Sequence, residues 1–214
     1  MAEFRLHCFA QSGNSYKPAL MLALCGADWE PVFVDFFNGA SRSPEFKALN
    51  AMGEAPVLEV GSKKLTQSGA ILTFLAEKHG KFAPATPEER HEALRWILFD
   101  NHKFTGYFAT YRFMKSFLPT APDPNVLAFL KGRFDSALGI VEKHLGKSKF
   151  IVGDKPTIAD FSLAGYMFFP PEESGYEWAK SNPNLSAWIE RMRALPGWKG
   201  PYELMPGERI KPLR

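Results

Sequence analysis

Cysteine is scarce in this sequence. Cys8 and Cys25 are the only two, too few for a disulfide framework, and both are expected to stay reduced in a cytoplasm. Long apolar runs are missing as well: nothing approaches the ~18 apolar residues of a membrane-spanning helix, so no membrane partner is expected. The N-terminal Met1-Ala2-Glu3-Phe4-Arg5 lacks the basic-then-apolar order of a signal peptide. There is little surplus of either charge. Twenty-six basic residues against 23 acidic ones leave +3, and the basic residues are scattered, apart from Lys63-Lys64 and a tail with Arg209, Lys211 and Arg214. A nucleic-acid partner is therefore not expected. His7, His79, His91, His102 and His144 show no metal-ligand spacing, so no metal is expected. No internal repeat, phosphate loop or Ser/His/Asp spacing stands out.

What is present is an ordinary globular balance, 45% hydrophobic and 23% charged over 214 residues. That length allows one or two domains and a sizeable core. Phe4 to Phe9 alternates partly and predicts a short strand. The polar turn Gln11-Ser12-Gly13-Asn14-Ser15 follows, and Tyr16 to Cys25 predicts a helix ending at Gly26. Pro31 to Phe37 predicts a second strand. Ser43 and Pro44 open a short helix to Leu49. Ala55–Val60 and Lys64–Thr66, joined by Gly61-Ser62, predict a hairpin, and Ser68 is expected to cap a helix over Gly69 to His79. Strand, helix, strand, helix, strand, strand, helix within residues 1–80 is a compact α/β unit. Residues 81–87, with Phe82-Ala83-Pro84-Ala85-Thr86-Pro87, read as a linker. Beyond it, helices are predicted at Pro87–Phe117, Asn125–Leu145, Thr157–Phe168 and Asn184–Leu195, which makes 88–214 an all-helical domain.

Three features of the first domain bear on chemistry. Pro56 opens a strand, where proline is poor; it is either a trans residue on an edge or a cis bond that turns a backbone edge toward a ligand. Gln67-Ser68 stands at a helix start, whose N–H groups suit a carboxylate. The Ser12-Gly13-Asn14-Ser15 turn also precedes a helix and can stabilise an anion. In the second domain, Thr157 and Asp160 have capping-box spacing, a structural pairing. Phe104, Tyr107, Phe108 and Tyr111 form one aromatic stripe at i, i+3, i+4, i+7, either core packing or the wall of a hydrophobic pocket.

Taken with the stretch Pro44-Glu45-Phe46 … Leu49-Asn50-Ala51-Met52-Gly53-Glu54-Ala55-Pro56-Val57-Leu58-Glu59, with Leu65-Thr66-Gln67-Ser68-Gly69-Ala70-Ile71, and with Gly153-Asp154-Lys155-Pro156-Thr157-Ile158-Ala159-Asp160, these features resemble the glutathione transferase superfamily over nearly the whole chain. The likeness is to its serine- and asparagine-type members (bacterial theta-, zeta- or nu-like). The resemblance implies an α/β thioredoxin-like N-terminal domain that holds glutathione as co-substrate and an all-α C-terminal bundle that holds a hydrophobic electrophile. It implies a two-fold homodimer as well.

The resemblance also assigns roles. Ser12 is expected to stabilise the glutathione thiolate, with Asn14 and Ser15 as the other candidates. A free thiol of pKa ~8.5 is only about 3% ionised at pH 7, and lowering it by ~2 units needs about 2.7 kcal/mol. One hydroxyl bond to a charged acceptor supplies roughly 1.5–3 kcal/mol and a helix N-terminus ~0.3–1 more, so this turn is sufficient in magnitude. Ala55 and Pro56 are expected to pair with the cysteinyl unit, and Gln67 and Ser68 to hold the γ-glutamyl carboxylate. Glu54 departs from the family's usual basic or amide residue, so the glycyl carboxylate is expected to need Arg42, Lys47 or another base. Phe104, Tyr107, Phe108 and Tyr111 would line the second-substrate site, Phe168 and Phe169 would close it, and Asp100 or Asn101 could reach across a dimer. Cys8 and Tyr16 read as packing. Two alternatives remain: glutathione-dependent disulfide or peroxide reduction, and a non-catalytic interaction module of the same fold.

Overall fold

Alternation in Phe4–Cys8 makes the strand around which the first half is built (β1). Phe4, Leu6 and Cys8 are wholly buried on one face, while exposed Arg5 points outward to Glu30 and Glu59. The structure is a computed structural model and describes residues 2–214. β1 pairs in parallel with β2 (Trp29–Phe33) and antiparallel with β3 (Val57–Val60), and β3 pairs with β4 (Lys63–Thr66) in the sheet order β2-β1-β3-β4. Val60 and Lys63 are register partners, so Gly61-Ser62 is the two-residue hairpin loop. Helices α1 (Gly13–Cys25) and α3 (Ser68–His79) cover one face of the sheet through Leu20, Ile71, Leu72 and Leu75. On the other face α2 (Pro44–Leu49) brings Phe46 against Phe9, Val34 and Val57.

Several boundaries differ from the sequence reading: α1 begins at Gly13 rather than Tyr16, β2 at Trp29 rather than Pro31 and β3 at Val57 rather than Ala55. The second strand ends at Phe33 rather than Phe37, because Val34 folds inward and the chain turns tightly over Phe36–Asn38. Gln67, not Ser68, takes the cap position of α3, and Ser68 is already helical.

The second half contains only helices among the described residues. α4 (Pro87–Phe99) continues through a wide turn, Asp100–Phe104, into α5 (Thr105–Ser116), so the single helix predicted to Phe117 carries a bulge. α6 (Pro124–Leu145) buries Leu130, Phe134, Ala137, Leu138, Val141 and Leu145, a helical stripe. α7 (Ile158–Ala164) is buried at every position and ends four residues before Phe168. The short turns α8 (Pro171–Ser174) and α9 (Trp178–Ser181) lead into α10 (Pro183–Arg193), and α11 (Pro201–Leu204) precedes an extended tail. No described helix is long and apolar enough to cross a membrane.

The two halves share one continuous apolar cluster. Tyr16 packs edge-on to Phe168 at 5.9 Å and Phe82 meets Phe161 at 4.8 Å. Lys17 and Asp100, both fully buried, form an ion pair at 2.7 Å, and Ser162 donates to the same carboxylate at 2.6 Å. Asp160 organises the second half. Its carboxylate accepts from the N–H groups of Ile151 and Thr157 at 2.8 Å and from Trp188 Nε1 at 2.9 Å, while Thr157 Oγ1 accepts from Ala159 N at 3.3 Å. Burial pushes the Asp160 carboxyl up to about 6, and these hydrogen bonds act in the opposite sense. Thr157→Ala is expected to lower stability by about 1 kcal/mol in urea titration. Asp160→Asn, which replaces one of the two accepting oxygens with an NH2 group that faces a donor, should cost more, about 2–4 kcal/mol.

Candidate functional site

The polar turn before α1 folds as its sequence suggests. Ser12 takes the cap position with extended backbone, φ −85° and ψ 104°, and its Oγ accepts the Ser15 N–H at 3.1 Å. A hydroxyl carries one proton and two lone pairs. The cap uses a lone pair, so the Ser12 O–H remains available as a donor. Asn14 is half-buried, and its enclosed Oδ1 has no hydrogen-bond partner. Ser15 is fully enclosed, with Oγ likewise unpartnered.

A cleft of about 410 Å³ opens at this turn, between the two halves. Phe9, Phe36 and Phe37 line it on one side, Ala109, Thr110, Arg112, Phe113 and Phe117 on the α5 side, and Gln11, Ser12, Asn14 and Tyr166 at the turn. Phe9 and Phe36 stack at 4.7 Å with planes 6° apart, and Phe37 stacks on Phe113 at 6.4 Å. The cleft therefore has flat aromatic walls. Next to it, a notch of about 40 Å³ is lined by Pro56, Gln67, Ser68 and Asn101, and it shares Asn14, Glu54 and Ala55 with the cleft. Ser12, Asn14, Glu54, Ala55, Pro56, Gln67 and Ser68 thus come together. Ser15 lines neither space.

Backbone geometry gives the notch its character. The Ala55–Pro56 bond is cis. Gln67 has φ 64° and ψ 113°, a left-handed conformation that costs a non-glycine residue about 1–3 kcal/mol. Its Nε2 donates to Glu54 Oε2 at 3.2 Å and lies 3.1 Å from Met52 Sδ. Gln67 makes no side-chain capping bond to α3, which leaves the first N–H groups of that helix for an anion.

Arg112 and Glu54 are the charged residues lining the cleft; Arg42 and Lys47 are exposed and line neither space. Tyr166 is buried against the turn. Burial pushes its phenol up, while the Arg112 charge and the backbone N–H groups of Asn14 and Gly13 pull the other way. Gly13 has a steric reason: a Cβ there would sit 2.5 Å from the Tyr166 ring. Among the described residues, no group of three or more His, Cys, Asp or Glu could hold a metal.

Several expected residues lie elsewhere. The stripe predicted as a pocket wall points away from the cleft: Phe104 and Phe108 are wholly buried, Tyr111 nearly so, and Tyr107 packs on the same core. Phe108 stacks on Phe134 at 4.2 Å. The wall is instead Ala109, Phe113 and Phe117, at i, i+4 and i+8 on the neighbouring face. Phe168 and Phe169 pack on Tyr16 and Tyr202 and do not close the cleft. Asp100 is buried with Lys17, so it cannot reach a partner subunit, whereas Asn101 is exposed and borders the notch. Cys8 is wholly enclosed, and burial pushes its thiol up to about 12. Tyr16 donates to Lys199 O at 2.7 Å and is also buried, which raises its phenol. Sequence reasoning missed Phe36, Phe37, Arg112, Phe113, Phe117 and Tyr166; the Phe113/Phe117 pair was a second aromatic stripe on a helix already carrying one.

Family models match both halves. Glutathione S-transferase, N-terminal domain, covers residues 3–77, and glutathione S-transferase, C-terminal domain, covers 124–191. The chain is 30% identical over 208 residues to glutathione S-transferase F14 of Arabidopsis thaliana, spanning 92% of this chain and 82% of that one. Among solved structures it resembles a possible glutathione S-transferase from Rhodopseudomonas palustris, at TM-score 0.86 and 32% identity over 94% of this chain and 98% of that one. It also resembles a glutathione S-transferase from Xanthobacter autotrophicus, at TM-score 0.83 and 34% identity over 92% and 95%.

The Gly13 contact yields a test of the site's packing. Gly13→Ala is expected to destabilise the protein by about 1–3 kcal/mol through overpacking against Tyr166, measured by urea unfolding.

Proposed function

The chain belongs to the glutathione S-transferase family, and we propose that it joins glutathione, through its thiolate sulfur, to a hydrophobic, flat electrophile. In this reading residues 1–80 hold glutathione, 81–87 link, and 88–214 hold the second substrate. The observation that carries it is the joining of two unlike spaces, across Asn14, Glu54 and Ala55, beside one hydroxyl. A polar notch with backbone edges and a helix start opens into an aromatic cleft, and Ser12 stands in the cleft beside Asn14, which borders both.

The tripeptide fits the notch by its chemistry. The γ-glutamyl carboxylate meets the start of α3 at Gln67 and Ser68, where unsatisfied N–H groups and the helix dipole favour an anion. The Ala55 backbone beside Pro56 offers a strand edge for the cysteinyl unit. That directs the sulfur toward Ser12, whose O–H donates to the thiolate while its oxygen continues to cap α1. Asn14 stands close enough to the same turn to serve as a second polar contact. Glu54 is tied to Gln67 at 3.2 Å, an arrangement that lets it orient the amide and meet the glutathione amine instead of opposing the glycyl carboxylate. The electrophile lies between the Phe36/Phe37 and Phe113/Phe117 walls. Thiolate attack there forms the carbon–sulfur bond, and the leaving group departs with its electron pair.

A two-fold dimer belongs to this reading; Leu94 and Leu98, 53% and 60% exposed and one turn apart on α4, support it, and sedimentation should give twice the chain mass.

Calorimetry with glutathione tests the notch, since absence of heat at millimolar concentration removes the enzymatic reading and leaves an interaction module. Ser12→Ala is expected to lower kcat/KM for an aryl halide by about 10- to 100-fold, the equivalent of a hydrogen bond to a charged group, and to lower stability by about 1 kcal/mol through the lost cap. Phe113→Ala should raise KM for the aryl halide and leave glutathione affinity unchanged. Turnover of hydroxyethyl disulfide in place of the aryl halide would identify reduction as the chemistry.

A further inference from the structure

The turn carrying Ser12 is held from outside its own sheet. Gln11 O accepts from Arg112 Nη1 at 2.9 Å, Gln11 Nε2 donates to Glu208 O at 2.6 Å, and Ala10 N donates to Pro206 O at 2.8 Å. Arg112 is 3% exposed, yet it borders the cleft. Its guanidinium lies 4.1 Å from the Phe169 ring centre and 4.9 Å from that of Phe117, and its Nε has no hydrogen-bond partner. Nη2 donates to Glu173, which is wholly buried and also accepts from Tyr202 at 2.8 Å and from Arg209 Nε at 3.1 Å.

Stability alone is a weak reason for this arrangement. Burying an ion pair is often no better than apolar packing of the same volume, and a neutral donor could satisfy the Gln11 carbonyl. What a guanidinium adds is a charge with a fixed orientation. The pair has its positive end on the turn and its negative end toward α8 and the tail.

We propose that Arg112, anchored by Glu173, is a positioning residue for the reaction: it fixes the Gln11–Ser12 backbone and sets positive potential where the glutathione sulfur sits. This rests on the reading that glutathione binds with its sulfur at Ser12. The other charged or titratable groups around Arg112 are Lys115 on its own helix, Glu172 and Glu173 on α8, Tyr202 on α11, Arg209 on the tail and Tyr166. Lys17 on α1 is paired with Asp100, and Glu54 stands across the cleft. The Glu172 carboxylate is exposed and held by Arg209, so Glu173 is the carboxylate directly opposing Arg112.

The test compares R112M, R112K and E173Q in the full chain. The readouts are the pH dependence of kcat/KM for an aryl halide, the ultraviolet absorbance of bound glutathione as thiolate, and glutathione binding by calorimetry. In R112M the thiolate midpoint should move to higher pH by about one unit, a loss of kcat/KM that approaches tenfold well below the wild-type midpoint and largely disappears above pH 9. R112K, which keeps the charge, should hold the midpoint near wild type. E173Q, which keeps the shape and removes the opposing charge, should move it to lower pH. A purely structural role would move R112M and E173Q in the same direction or not move the midpoint at all, and either result overturns the inference. If R112M fails to fold, the comparison of R112K with E173Q decides: an unmoved midpoint in E173Q overturns it. Wild-type protein that binds no glutathione removes the underlying reading, whereas binding with an unmoved midpoint removes only this inference.

Discussion

The buried pair Lys17–Asp100 is the constraint on which the rest depends. Both side chains are fully excluded from water, 2.7 Å apart, and Ser162 adds a third polar group at 2.6 Å. Removing either charge would leave its partner unpaired in the interior, which costs about 3–5 kcal/mol. Lys17 is the fifth residue of α1 and Asp100 opens the wide turn before α5. The turn that bears Ser12 and the helix that bears Phe113 are therefore locked to one another. The cleft lies between them, and Asp100 stands where the wide turn between α4 and α5 begins.

The fold was legible where one physical signal had one solution. Alternation over Phe4–Cys8, a two-residue loop at Gly61-Ser62 and the Thr157/Asp160 spacing each specify a local geometry, and each element formed there. The site was half legible. Ser12, Asn14, Pro56, Gln67 and Ser68 are adjacent in space because short-range motifs place them at the ends of elements around β1 and β3. The pocket wall was not legible, because α5 carries aromatics on two faces. An aromatic stripe reports burial, not which neighbour buries it. Phe104 and Phe108 found α6, and Phe113 and Phe117 found Phe37. Arg112 itself and the buried partner of Asp100 were hidden for a related reason: a single charged residue in a helix looks solvated until tertiary contacts put its partner in place.

Polar groups at the turn serve two purposes with one atom set. Ser12 accepts for the helix and leaves its proton uncommitted. Gln67 leaves α3 uncapped and holds a costly backbone angle, so the helix start stays open to an anion. Such departures from local optimality concentrate at functional sites, and Gln67 shows one at the notch.

The bond from Gln11 to Glu208 joins positions 197 apart. During synthesis the first half can form its sheet long before residues 206–208 leave the ribosome, but the turn at Ala10 and Gln11 lacks its outer support until then. Contacts this distant in sequence form slowly. The nascent chain can therefore carry a formed sheet while the turn at Ala10 and Gln11 still waits for residues 206–208 to hold it from outside.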